Sequence, residues 1–155
     1  MLPRILALAL AALLLAAASA SADSIVYTKD GNVWLSSPDG AKQYQVTFNG
    51  SFSDASQADD GTIVALHLKQ FVHLDRSGHL LGNPVDAMGS PYYDGAGDYV
   101  GPYEPRVSPD GKRIAYWFYS RADNTLERVA TWSYVDHFTD PSSESEFVKA
   151  SARLV

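Results

Sequence analysis

Past its first two dozen or so residues, the chain alternates short apolar runs with clusters of Gly, Pro, Asp and Ser. Ile25-Val26-Tyr27 leads to Lys29-Asp30-Gly31-Asn32, then Val33-Trp34-Leu35, then Ser37-Pro38-Asp39-Gly40. The order returns from Ala58-Asp59-Asp60-Gly61 through Ile63-Val64-Ala65-Leu66 and Phe71-Val72-His73-Leu74 to Ser77-Gly78. It returns again from Ser108-Pro109-Asp110-Gly111 into Ile114-Ala115-Tyr116. These runs are about four to eight residues long and rich in Val, Ile, Tyr, Phe and Trp, the side chains that suit a pleated, half-buried surface. An Asp-Gly pair between two of them predicts a tight hairpin, because glycine accepts the positive φ that such a turn demands. No mature stretch holds a helical period over roughly eleven residues or more. Glu144 to Arg153 has room for two helical turns, and its Phe147-Val148 pair reads equally as an outer strand. The expected fold is all-β.

Corresponding positions recur roughly forty residues apart, with about eleven extra before the third copy, the spacing of four-stranded antiparallel propeller blades. The repeats fall at about 24–50, 51–82 and 104–155, with a Gly- and Tyr-rich insertion at 82–104. Ile63, Val64, Leu66, Ile114, Ala115, Tyr116 and Trp117 are expected as sheet-to-sheet core. Both faces of the aromatic run Tyr116-Trp117-Phe118-Tyr119 are expected under neighbouring blades.

Glu104-Pro105-Arg106-Val107-Ser108-Pro109-Asp110-Gly111-Lys112-Arg113-Ile114-Ala115-Tyr116 resembles the repeat of TolB-type β-propellers, whose hallmark is S-P-D-G-K-x-I-A followed by an aromatic. Ala58 to Leu66 is similar to a degraded copy, and the first repeat resembles the later half of the unit, ending in Gln45-Val46-Thr47. The resemblance implies inner strands near Asp54–Ala58 and Pro105–Ser108, and a first repeat that starts at its second strand. About three blades are expected where a closed ring needs roughly four or more. The chain therefore reads as an incomplete propeller, either a truncated product or one whose copies associate through open strand edges. The resemblance also implies protein–protein scaffolding in the cell envelope.

The first 22 residues read as an address. A basic start at Arg4 precedes the Leu/Ala-rich Ile5–Ala18 run and two small-residue patterns ending at Ala20 and Ala22. This is the layout of a secretory signal peptide, and about 14 apolar residues fall short of a membrane span. The expected destination is periplasmic or extracellular, with no membrane insertion after cleavage. With 12 Lys and Arg against 18 Asp and Glu, the chain carries a net charge of −6, which disfavours nucleic acid. It has no cysteine, so disulfides, thiolate metal sites and a cysteine nucleophile are excluded.

Candidate chemistry is sparse, and no catalytic residue, metal site or cofactor is assigned. Tyr92, Tyr93, Asp94, Asp98, Tyr99 and Tyr103 offer an aromatic, acidic patch in the inserted loop, suited to a sugar, a cationic peptide or a partner protein. Asp94 and Asp98 supply too few carboxylates for a calcium loop. His67, His73 and His79 are evenly spaced, but no acidic or sulfur ligand accompanies them. No G-x-S-x-G elbow occurs, although some prolyl-oligopeptidase-type enzymes carry similar propeller repeats. The expected function is a non-catalytic interaction module whose partner is another protein. The alternatives are the propeller portion of a hydrolase, and a carbohydrate-binding propeller using the tyrosine loop. Ser108, Pro109, Asp110 and Gly111 are expected to serve structure.

Overall fold

The repeated turn chemistry closes a set of short hairpins, and these hairpins make up the whole described fold. The computed structural model describes residues 24–90, 99–122 and 125–137; the predicted signal peptide and the 138–155 tail lie outside them. Nine strands form three antiparallel sheets, each built from three consecutive strands. Sheet A comprises β1 (Ile25–Lys29), β2 (Asn32–Ser36) and β3 (Gln43–Gln45). Sheet B comprises β4 (Phe52–Gln57), β5 (Ile63–His67) and β6 (Gln70–Leu74). Sheet C comprises β7 (Tyr99–Val107), β8 (Arg113–Ala122) and β9 (Thr125–Tyr134). There is no helix among the described residues, and the all-β expectation holds.

The expected four strands per repeat are not what is found: each sheet has three. Sheet B comes nearest to a fourth. Phe71 exchanges both backbone hydrogen bonds with Val85, at 2.9 and 2.8 Å, and Leu81 N donates to His73 O at 2.8 Å. The segment meets β6 through isolated bridges, Phe71 with Val85 and Leu74 with Leu80, rather than a continuous ladder. Pro84, with no N–H to donate, lies in the stretch that would have to extend the ladder.

The two Ser-Pro-Asp-Gly turns adopt one hydrogen-bond set. Ser108 Oγ donates to Asp110 Oδ1 at 2.5 Å, while Arg113 N donates back to Ser108 Oγ at 3.0 Å and Lys112 N to Asp110 Oδ1 at 3.1 Å. Ser37 and Asp39 repeat the pattern, with 2.5 Å between their side chains and 3.0 Å from Lys42 N to Ser37 Oγ. Gly40 and Gly111 both take φ of 72°. Asp60 substitutes for this geometry in Ala58-Asp59-Asp60-Gly61, accepting from Thr62 N at 2.9 Å without a serine. The Ser108 hydroxyl and then the Lys112 N–H hold the Asp110 carboxyl below the usual range, and Ser37 and Ala41 do so for Asp39.

Alternation then decides which sheets meet. Ile63, Val64, Ala65 and Leu66 of β5 are all buried, because sheet B is covered on both faces. Ile63, Ala65, Val72 and Leu74 face Val33 and Leu35 of sheet A. Val64, Leu66 and Phe71 face Ile114, Tyr116 and Phe118 of sheet C, with Val85, Ala87 and Met88 closing the rim. Polar stitches join the layers: Phe52 N donates to Gly31 O at 2.9 Å, and Val107 N to Ser56 Oγ at 3.0 Å. The order A–B–C leaves the far face of sheet C without a described neighbour. That corrects the expectation that both faces of the Tyr116–Tyr119 run, and Ala115 and Trp117 with them, are covered. Ala115 is exposed and Trp117 only half-buried.

Candidate functional site

Strand register places side chains on that far face. Tyr103 lies opposite Trp117, and Trp117 opposite Ala130; Arg106 lies opposite Ala115, and Ala115 opposite Trp132. Arg113 pairs with Tyr134, Tyr119 with Arg128, and Arg121 with Leu126. Directly opposed residues share a face, so this one carries aromatics and arginines in alternation, while Ile114, Tyr116 and Phe118 point into the core.

A stacked row crosses the sheet. The Tyr103 and Trp117 rings lie 4.4 Å apart at 23°. The Arg128 guanidinium sits 4.0 Å from the Trp117 ring centre, and Lys69 Nζ sits 5.0 Å from that of Tyr103. Lys69 arrives from the β5–β6 turn, where Leu68 and Lys69 take φ of 51° and 71°. Both central residues of this two-residue turn are left-handed without glycine, a conformation costing roughly 1–2 kcal/mol per residue. A second group lies alongside: the Arg113 guanidinium is 5.4 Å from Trp132, whose ring meets Tyr134 edge-on at 5.1 Å. Small Ala115 and Ala130 leave a shallow groove of about 380 Å³ between Trp117, Arg106 and Arg128. Trp117 Nε1 donates to Glu104 Oε2 at 3.1 Å across its mouth.

Of the loop-borne site read from the sequence, Tyr99 and Tyr103 lie among the described residues. Tyr92, Tyr93, Asp94 and Asp98 lie outside the described residues. Tyr99 and Tyr103 belong to β7 rather than to the 82–104 loop, and they face opposite ways. Tyr99 meets Phe118 edge-on at 5.5 Å on the core side, whereas Tyr103 lies on the outer face. Equal parity would put both on one side; the register shift between Val100 and Tyr103 reverses the second. Ser108, Pro109, Asp110 and Gly111 lie in the β7–β8 turn.

The histidines do not converge. His67 stacks on Phe52 at 4.4 Å on the sheet A side, while His73 lies opposite Val64 on the sheet C side. Burial pushes the His73 pKa down against the opposing charges of Asp60 and Asp136. His79 is exposed and bonds Asp75 at 3.1 Å. Among the described residues no three His, Asp or Glu side chains gather as metal ligands. A second groove, about 320 Å³, lies where sheets A and B meet, between Phe48, Phe52, His67 and Leu80. It carries no cation and no carboxylate.

The aromatic–arginine face was not assigned as a site from sequence. Its signal was present in the alternation Arg113, Trp117, Tyr119, Arg121 on β8 and Arg128, Trp132, Tyr134 on β9. No family model, curated protein or solved structure matches the chain.

Proposed function

We propose that this chain is an exported, non-catalytic protein-binding module built from TolB-like propeller repeats, and that the outer face of sheet C is its interface. One observation carries the reading. Tyr103, Trp117, Tyr119, Arg128 and Trp132 form a continuous, partly exposed face of the residue types that dominate binding energy at protein interfaces. The face is stiff, because each residue sits on a paired strand and the rings hold one another, so little side-chain freedom is lost on binding. The repeat reading draws support from the shared hydrogen-bond set of the two Ser-Pro-Asp-Gly turns, and from the layering of similar hairpin sheets.

A photo-cross-linking residue at exposed Ala115, compared with one at exposed Gln43 on the outer side of sheet A, tests the reading in producing cells. The expected result is a protein adduct from position 115 and none from position 43. No adduct from 115, or equal adducts from both, would remove the basis for an interface here.

A further inference from the structure

Building on that interface, we infer that the outer face of sheet C receives an acidic polypeptide segment of its partner. The argument begins with where this acidic chain keeps its cations. Arg106, Arg113, Arg121 and Arg128 stand on this face and Lys69 reaches over it, while Lys29, Lys42, Arg76 and Lys112 are scattered elsewhere. Glu104 is exposed beside them, accepting from the Trp117 indole N–H and keeping its negative charge. Among the described residues none of these cations makes an ion pair; the ion pairs present are His79 with Asp75 and His137 with Asp136. Cations in excess of the carboxylates beside them, here Glu104 and, near Arg113, Asp110, repel one another, and an anion set against them relieves that repulsion.

The geometry selects the anion. Trp117 is covered on one side by Tyr103 and on the other by Arg128, and Lys69 lies over Tyr103. No free ring face remains in this row for the flat side of a sugar. What the row presents instead is its cations. A guanidinium over an indole meets the ring through its face and keeps the N–H groups of its edge for the bidentate fork that a carboxylate matches. Arg113 over Trp132 repeats the device one pair of residues along the sheet. Side-chain carboxylates along an extended peptide fit such a display, and the groove over Ala115 and Ala130 gives the backbone somewhere to lie.

Fluorescence anisotropy of the purified full chain with labelled poly-L-glutamate tests this. Saturable binding that weakens in molar salt is expected. The R113E/R128E double variant should weaken it by about tenfold or more. E104Q should tighten it by about two- to fourfold, because a like charge in the groove is gone while the amide oxygen still accepts from Trp117. Both changes are at exposed positions, and an unchanged circular-dichroism melt verifies the fold. Absent binding, affinity that the double variant leaves unchanged, or tighter binding of polygalacturonate than of poly-L-glutamate would each overturn the inference. An Ala115 adduct together with no poly-L-glutamate binding would overturn the acidic partner alone and leave the interface standing.

Discussion

Phe71→Ala is expected to destabilise the chain by about 3–5 kcal/mol, a large share of the roughly 5–15 kcal/mol that holds an ordinary domain together. Phe71 is 1% exposed and lies between sheets B and C, its ring meeting the edge of Tyr116 at 4.9 Å. Its backbone also carries the paired hydrogen bonds to Val85 that close the rim of sheet B. Deleting the ring removes apolar burial, an aromatic contact and the support of that rim together, and paired strands cannot collapse into the space. In urea the midpoint should fall by roughly 1–5 M, given ordinary slopes of about 1–3 kcal/mol per molar. Phe71→Leu, which keeps most of the volume, should cost about 1.5 kcal/mol or less. A loss under about 1 kcal/mol for the alanine variant would mean that sheets B and C do not pack through this residue.

The second large effect is expected from one methyl group. Gly78 takes φ of 85°, and a Cβ there would overlap the carbonyl oxygen of Val46 and press on its side chain. Val46 N is bound to Val33 O at 2.8 Å, so the obstructing carbonyl belongs to a segment tied into sheet A and cannot step aside cheaply. Gly78→Ala should therefore cost roughly 2–5 kcal/mol, combining left-handed strain with forced overpacking. Gly40→Ala is its control. That glycine has φ of 72° but open space around its Cβ position, leaving only the backbone cost of about 1–2 kcal/mol. Denaturant curves of the two variants separate the terms, and equal costs would show that the Gly78 turn does not rest on sheet A.

Much of this architecture could be read from the chain, and its misreadings have physical causes. The unbroken apolar run of β5 announced a strand buried on both faces, and Ile63, Val64, Ala65 and Leu66 are at most 2% exposed. Asp-Gly and Ser-Pro-Asp-Gly marked turns because their geometry is local, set within a few residues by side-chain hydrogen bonds. Position in the stack is not local. Ile114 and Trp117 look alike as strand residues, yet one faces sheet B and the other faces outward, since sheet C ends the described stack. Gly101 and Pro102 made the first part of β7 read as loop, while Pro105 was expected to open a strand. They are tolerated because β7 is an edge strand with two register irregularities, where a missing N–H breaks no central ladder. The first of those irregularities, between Val100 and Tyr103, turned Tyr103 away from Tyr99 and onto Trp117. The candidate site thus arises from a register shift, which periodicity alone does not reveal.

The central claim is that partners meet this chain on the outer face of sheet C. Hydrogen exchange of the chain, free and bound to the protein captured through position 115, tests it most directly. The account predicts slower exchange at Tyr99–Val107, Arg113–Ala122 and Thr125–Tyr134, with Ile25–Gln45 unchanged. Slowing confined to Ile25–Gln45, or absent from all three strands of sheet C, would contradict it.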